Sequence, residues 1–277
     1  KPGSWYYDTV TAMAQEGILK GYPDGSFRPD QTISGAEFAA VAARVGGLTE
    51  SQGQTDHWAA GLLQTALDAG WYDWDELPPT GETYDQPIRR QVAVSLLMRG
   101  LLPDRTGDYA GQAGKLSDLS SLDGRYYNRV FAAYACGVAQ GDEKGNFHPK
   151  GSLTRAEACT VVNNMLGRTG DTAQATRLIA LGLYSDVSAS YWGARTIAEA
   201  SVSHTAAASG SGESWNGVDV ASMTFTPGFH AAGNQLYYVA WTGKLVTNTT
   251  LGAYKADATG ALTQTAKSYQ MTNVPYI

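Results

Sequence analysis

The sequence has 277 residues, a net charge of −6 and a hydrophobic fraction of 43%, with 32 glycines and 16 tyrosines. This composition indicates a globular protein rather than a disordered one, and a chain of this length needs more than one small core. The acidic balance argues against nucleic acid as a partner, and no apolar run approaches the roughly 20 residues that span a bilayer.

An internal repeat dominates the first part of the sequence, because residues 5–45 align with residues 126–166 without a gap. Each copy predicts an aromatic-headed amphipathic helix, a turn block at residues 21–29 or 141–149, and a second helix. The second helix opens in both copies with the S/T-x-x-E pattern of a capping box, in which a hydroxyl and a glutamate satisfy backbone N–H groups. These capping residues therefore have a structural explanation before any function is invoked.

A divergent copy lies between these two copies, and a partial copy follows them. Residues 57–70 predict the first helix of the divergent copy, residues 71–79 replace its turn block, and its second helix begins near residue 88 without a capping box. Residues 184–203 supply a repeat start and a single helix. Beyond them, a linker of small residues at 206–214 precedes a segment that predicts β-hairpins.

The repeat resembles the S-layer homology family, whose repeats close with the motif Ile/Leu-Thr-Arg-Ala-Glu. Residues 153–157, Leu-Thr-Arg-Ala-Glu, match that motif in full. The first repeat has Gly35 where the motif has arginine, and the divergent repeat keeps Arg90 but lacks the acidic residue. The partial repeat carries the family's Ser-Asp-Val opening at residues 185–187. The resemblance covers about residues 4–203.

This resemblance implies a mainly α fold, a three-lobed pseudo-trimer of helix–loop–helix repeats around a central helical bundle, followed by a small β-hairpin C-terminal region. In that region, residues 236–239 and 244–247 predict the two strands of a hairpin, and the segment resembles choline- and glucan-binding hairpin repeats. The predicted units are repeats at residues 1–50, 51–102 and 115–170, a half repeat at 171–205 and the β-hairpin region at 214–277.

The family's ligand grooves lie between lobes and bind an anionic, pyruvylated secondary polysaccharide that is attached to peptidoglycan. The arginine of the motif typically meets the ligand carboxylate, and the opening Trp and Asp help to form the groove. An arginine fork at a helix N-terminus, with its free N–H groups, also suits a carboxylate on physical grounds. The resemblance assigns these positions to ligand binding: Arg155, Arg90, Trp58, Asp186, Trp192, Trp5, Gly141 and Gly21.

Structural alternatives stay open for several of these residues. Arg155 could be a solvated arginine at a helix start, and Trp5 and Trp58 could equally be core aromatics. Gly35 predicts that one groove has lost its main anion partner, so we expect fewer than three working grooves.

No catalytic or metal-binding pattern competes with this interpretation. The four histidines lack metal-ligand spacing, and the sequence holds no G-x-S-x-G, Cys–His signature or phosphate loop. Asp24 and Asp142 fit turn chemistry better than a calcium loop. Cys136 and Cys159 are predicted to be free thiols rather than a disulfide. We therefore predict a chain that is not an enzyme, with no cofactor and no metal.

The functional prediction is an extracellular anchoring module in the cell wall or S-layer of a Gram-positive bacterium, monomeric and without a membrane span. Its predicted partner is the anionic, peptidoglycan-linked polysaccharide. One alternative is a structural surface protein that assembles through protein–protein contacts. Another is the anchoring part of a surface enzyme whose catalytic part lies outside this chain.

Overall fold

The structure is a computed structural model, and it describes residues 18–49, 57–105, 107–209 and 212–265. The predicted first helix of the first repeat falls mainly on residues 1–17, which lie outside these ranges. The helices are α1 Gly35–Val45, α2 Ala60–Asp68, α3 Gly81–Tyr84, α4 Arg90–Leu101, α5 Tyr127–Ala135, α6 Arg155–Leu166, α7 Thr172–Ala180 and α8 Ala194–Ser201. Short 3-10 helices lie at Ala110–Lys115, Leu119–Ser121 and Gly124–Tyr126. The strands are β1 Thr205–Ser209, β2 Gly212–Asn216, β3 Gly228–Ala232, β4 Gln235–Val239, β5 Thr250–Leu251, β6 Tyr254–Ala256 and β7 Leu262–Gln264.

A closed ring of backbone hydrogen bonds joins the three repeats just before their second helices. The N–H of Ile33 donates to the carbonyl of Leu153 at 2.9 Å, and the N–H of Leu153 donates to that of Ile88 at 3.2 Å. The N–H of Ile88 closes the ring on Ile33 at 3.1 Å. All three side chains are buried. The ring therefore brings the N-termini of α1, α4 and α6 together around one point of the core.

The second helix of each repeat packs against the first helix of the repeat that follows it. Helix α1 packs on α2, α4 packs on α5, and α6 packs on α8 of the partial repeat. The partial repeat in turn contacts the first one, since the N–H groups of Ile18 and Leu19 both donate to the carbonyl of Ala200, at 2.7 and 3.1 Å. The partial repeat thus joins the end of the helical region to its beginning.

The capping predictions are confirmed where the sequence carries the pattern. The Ser34 hydroxyl accepts the N–H of Glu37 while the Glu37 carboxylate accepts the N–H of Ser34, and Thr154 and Glu157 repeat this exchange. Helix α4, which lacks the pattern, has no side-chain hydrogen bond at its N-cap residue. The two cysteines are free thiols, as predicted.

The prediction of a mainly α fold with a small β-hairpin region is wrong, because the chain is a mixed α and β protein. The part of the chain that the structure describes holds two antiparallel sheets, the pair β1–β2 and a five-stranded sheet in the order β3-β4-β7-β6-β5. The predicted linker at 206–214 lies largely in the first sheet, where Thr205 pairs with Asn216. Small residues are typical of a loop, and the prediction followed that composition. Here they form a hairpin instead, next to Trp215, which is buried.

The five-stranded sheet escaped prediction because its last three strands have only two or three residues each. Alternating hydrophobicity needs longer stretches to be visible. The expected pairing of residues 236–239 with 244–247 reduces to an isolated bridge between Val239 and Leu245. Strand β4 instead pairs with β3, and β7 inserts between β4 and β6 through a non-local connection.

The β region packs against the helical region. The ring of His230 contacts the carbonyl of Ala180 through Nδ1 at 3.0 Å, and β3 packs against α7. At the other sheet, the Trp215 indole N–H donates to the buried carboxylate of Glu199 at 2.8 Å. Among the described residues, no helix is both long enough and apolar enough to cross a membrane.

Candidate functional site

One groove brings together three of the residues that the sequence assigns to ligand binding. This repeat-three groove has a volume of about 450 Å³, and Arg90, Gly141 and Trp192 all line it. Glu157 and His148 lie on its walls as well. The groove is open to solvent, and the Trp192 side chain is 63% exposed. It therefore offers one cation, one aromatic face and the backbone of the turn block to a ligand.

Arg90 crosses from the divergent repeat into the third repeat. Its Nη1 lies 3.3 Å from a carboxylate oxygen of Glu157, and its Nη2 donates to the carbonyl of Gln140 at 3.0 Å. Among the described residues, no acceptor is within hydrogen-bond distance of its Nε, which is buried. Burial lowers the pKa of Arg90, and the nearby Glu157 carboxylate opposes that shift. The guanidinium is thus held by one carbonyl and by one carboxylate contact, both in the third repeat.

Arg155 holds the matching position between the third and first repeats, but its environment is more closed. Its Nε donates to the carbonyl of Phe27 at 2.9 Å and its Nη2 to that of Lys20 at 2.8 Å. Nη1 lies 3.7 Å from Glu37, and the side chain is 4% exposed. Arg155 therefore joins two repeats, and it is the less accessible of the two arginines even though its repeat carries the complete motif.

The first repeat carries a second cavity, the repeat-one groove, of about 420 Å³. Trp58, Glu37 and Asp85 line it, and Trp58 is 57% exposed. The expectation that Trp58 could be a core aromatic therefore does not hold. Trp5 lies outside the described residues.

Gly21 and Gly141 lie where the chain passes very close to a tyrosine ring and to its own turn. A Cβ at Gly21 would lie 2.4 Å from the ring of Tyr184, and one at Gly141 would lie 2.8 Å from the hydroxyl of Tyr134. Each would also lie within 2.9 Å of a backbone carbonyl oxygen of the turn. Glycine is therefore the residue that fits both positions, and of the two only Gly141 is among the residues that line either groove described above.

Asp186 positions a turn block rather than facing a groove. Its carboxylate oxygens accept the N–H groups of Phe27 and Arg28, both at 2.8 Å. Asp118 does the same for the third repeat, where it accepts the N–H groups of residues 147 and 148 at 2.9 and 2.7 Å. The sequence analysis missed Asp118. Its signal is the match of Ser-Asp-Leu at 117–119 to Ser-Asp-Val at 185–187.

The helix N-termini are not open anion sites, contrary to the physical expectation from the sequence. The N–H of Arg90 donates to the carbonyl of Gly151 at 2.8 Å, and the N–H of Arg155 donates to that of Gln31 at 2.9 Å. The contacts between repeats that bring the helix N-termini together thus also use the backbone N–H groups of these first helical residues. A ligand anion would meet the arginine side chains instead.

At the divergent repeat, the space that corresponds to the arginine positions of Arg90 and Arg155 is occupied by a side chain of the protein. A Cβ at Gly35 would lie 2.5 Å from the side chain of Leu77, which is buried. Nearby, the buried carboxylate of Glu76 pairs with Arg99 at 2.9 Å and with Arg125 at 3.3 Å. This lobe therefore has neither an arginine at residue 35 nor room for one. Among the described residues, no cluster of three or more His, Cys, Asp or Glu side chains is arranged to hold a metal.

The sequence profile of the S-layer homology domain matches residues 1–39 and 115–159. Two segments of this chain are therefore similar to the S-layer homology domain. Over 177 residues it is 26% identical to an amylopullulanase of Thermoanaerobacterium thermosulfurigenes, a match that covers 61% of this chain and 9% of that protein. It is 27% identical over 203 residues to cell surface glycoprotein 1 of Acetivibrio thermocellus, covering 68% of this chain and 8% of that protein. It is 24% identical over 204 residues to a cellulosome-anchoring protein of the same organism, covering 68% of this chain and 42% of that protein.

This chain thus spans less than half of the length of each of these relatives. The matches indicate a bacterial cell-surface protein that is associated with the cell wall, and S-layer homology domains serve as anchoring modules there. Some relatives are named as enzymes, with the S-layer homology repeats as a separate part. The boundaries of the predicted units and the likeness of the C-terminal segment to choline- and glucan-binding hairpins stay predictions.

Proposed function

We propose that this chain is a non-catalytic anchoring module that binds an anionic, peptidoglycan-linked polysaccharide, and that pyruvyl carboxylates on this polymer are the recognised groups. The observation that carries the proposal is Arg90. Its guanidinium lines an open groove with the exposed ring of Trp192, and its contact with a carboxylate of the protein is a single one of 3.3 Å to Glu157.

The chemistry of the groove fits a sugar that bears a carboxylate. An arginine fork binds a carboxylate through two parallel hydrogen bonds, which Arg90 does not make with Glu157, since one contact of 3.3 Å links them. A ligand carboxylate would compete with Glu157 for this guanidinium. Trp192 would supply a flat apolar surface for a sugar ring, with little loss of side-chain entropy.

Two grooves, rather than three, are proposed to bind. The repeat-three groove has Arg90 and Trp192, and the repeat-one groove has Trp58 and Glu37, the carboxylate that lies 3.7 Å from Arg155. The lobe of the divergent repeat is filled by Leu77 against Gly35. Because Arg155 is the more enclosed arginine, we expect the repeat-three groove to bind more tightly.

The second candidate function is surface assembly through protein–protein contacts. Aromatic side chains on the β region support it: Trp241 is 87% exposed, and Phe229 is 60% exposed while its ring packs 4.8 Å from that of Tyr238. Exposed aromatics of this kind are common at protein interfaces. This candidate needs no polysaccharide, which makes the two functions separable.

The test is co-sedimentation of the purified chain with cell-wall sacculi, before and after mild acid removes the attached polymer. Binding that is lost on acid treatment and on Arg90→Ala supports the proposal. Arg105→Ala is the matched control, because Arg105 is an exposed arginine that lines neither groove. Sedimentation without sacculi, or binding that survives removal of the polymer, would favour assembly instead.

A further inference from the structure

The turn blocks of the first and third repeats carry the same carboxylate but different cations. Asp24 accepts the N–H of Ser26 at 2.9 Å and pairs with Arg28 at 2.8 Å. Asp142 accepts the N–H groups of Lys144 and Asn146, both at 2.9 Å. Its partner at 2.9 Å is the ring Nε2 of His148. One turn therefore holds a permanent cation where the other holds a titratable one.

Arg28 and His148 occupy equivalent backbone positions. Both have a left-handed backbone that is uncommon for residues other than glycine, with φ of 57° and 56°. The N–H of each donates to an aspartate of the neighbouring segment, Asp186 for Arg28 and Asp118 for His148. The first repeat thus shows that an arginine is compatible with this conformation, so an exchange of the two side chains needs no change of backbone.

His148 decides the charge at the mouth of the repeat-three groove. The charged side chains among the described residues that line this groove are Arg90, Glu157 and Asp142, with His148 when it is protonated. Neutral His148 leaves one positive charge against two negative charges, whereas protonated His148 balances them. The same exposed turn carries Glu143 and Lys144, whose charges offset each other, and Asp118 accepts the N–H of His148. The segment packed against the turn also carries Lys115, whose carbonyl would lie 3.3 Å from a Cβ at Gly145.

The turn block of the first repeat keeps a fixed charge balance near neutrality, although the repeat-one groove itself is lined by the carboxylates of Glu37 and Asp85. Arg155 faces Glu37, and Arg28 faces Asp24. Arginine does not lose its proton in proteins, so this balance is fixed. A histidine does lie elsewhere in this groove, since His57 contacts Asp85 at 3.2 Å beside Trp58. His57 therefore needs its own control.

We propose that His148 makes the repeat-three groove a pH-dependent binding site, whose affinity for an anionic polysaccharide rises as His148 becomes protonated. The inference rests on the proposed function of the groove. An anionic ligand is repelled by the unbalanced Asp142 carboxylate and is not repelled by the His148–Asp142 ion pair. Binding should therefore be stronger at about pH 5 than at about pH 8. Because the pair is exposed, the expected gain is about two- to five-fold at low salt.

The experiment is calorimetric titration of the full chain with the polysaccharide that mild acid releases from sacculi, at about pH 8 and about pH 5 and constant low ionic strength. His148→Arg should give the tighter affinity at both pH values, and His148→Gln the weaker affinity at both. The reciprocal change Arg28→His should add pH dependence. His57→Gln removes the His–Asp pair beside the repeat-one groove, and in that background the remaining dependence on pH should be lost with His148→Gln.

The outcomes separate the two proposals. If the wild-type chain binds at neither pH, the proposed function of the groove fails, and the pH dependence fails with it. If the wild-type chain binds equally at both pH values, or if His148→Gln keeps the full ratio, only the role of His148 is overturned. If a carboxyl-reduced polysaccharide shows the same pH dependence as the native one, the charge of the ligand is not what His148 senses, and the inference is again wrong.

Discussion

Arg90 of the divergent repeat reaches Glu157 of the third repeat, with Nη1 3.3 Å from Oε1, and Arg155 of the third repeat reaches Glu37 of the first at 3.7 Å. The same pair of residue types is thus formed twice around the ring of repeats, each time across a repeat boundary. The third boundary lacks this pair, because the first repeat has Gly35 at the position of the arginine and so has no arginine there to contact the divergent repeat. The arginine–glutamate pair is therefore present at two repeat boundaries, while at the third boundary the side chain of Leu77 packs against Gly35.

Replacement of the two arginines should separate stability from binding. Arg155→Ala should lower the free energy of unfolding by about 2–4 kcal/mol, because it removes a buried guanidinium from two carbonyls and from Glu37. Arg90→Ala should cost about 1–2 kcal/mol, since fewer of its donors are used. Urea unfolding followed by tryptophan fluorescence measures both. Equal losses for the two variants would contradict the distinction between them.

Loss of Asp186 should loosen the turn block of the first repeat. Asp186→Ala leaves the N–H groups of Phe27 and Arg28 without their acceptor, and the expected cost is about 1–3 kcal/mol. Asp118→Ala is the matched change in the third repeat and should cost a similar amount. Amide hydrogen exchange at the two backbone positions below each aspartate checks this locally. Unchanged protection in both variants would show that the aspartates do not hold the turns.

The contact between the helical region and the first sheet should depend on Glu199. This carboxylate is 1% exposed, pairs with Arg168, and accepts the indole N–H of Trp215 at 2.8 Å. Glu199→Ala would leave a buried guanidinium uncompensated, so we expect a loss of about 3–5 kcal/mol in the free energy of unfolding. Glu213→Ala provides a comparison, since Glu213 only accepts N–H groups at the edge of the same contact. A small effect of Glu199→Ala would contradict this role.

Acid should weaken the turn of the divergent repeat through Asp73. Hydrogen bonds from Arg99 lower the pKa of Asp73, so its folded state binds the proton less readily than its unfolded state. The resulting stabilisation is present above about pH 4 and is lost as the pH falls further. Asp73→Asn should therefore reduce the acid sensitivity of the unfolding midpoint in this range. An unchanged acid profile would mean that the exposed pair contributes nothing measurable.

The sequence predicted the repeats and the capping boxes because these features depend on local patterns, and the loss of one groove stays a prediction. The substitution at Gly35 was visible as a break in a motif, and the structure adds the reason that Leu77 fills the space. The burial of Arg155 was not predictable, because its acceptors belong to residues 20 and 27, far away in the chain. The five-stranded sheet was missed for a related reason, since β7 enters it through a non-local pairing of two- to three-residue strands.

The measurement that tests the central claim most directly is the nuclear magnetic resonance signal of the tryptophan indole N–H groups during titration with the released wall polysaccharide. Trp192→Phe and Trp241→Phe variants assign the two signals that matter. The account predicts that the Trp192 signal shifts with the polysaccharide, that Arg90→Ala abolishes this shift, and that the Trp241 signal stays in place. A shift of Trp241 with no change at Trp192 would contradict the claim that the Arg90 groove is where this chain holds the cell wall.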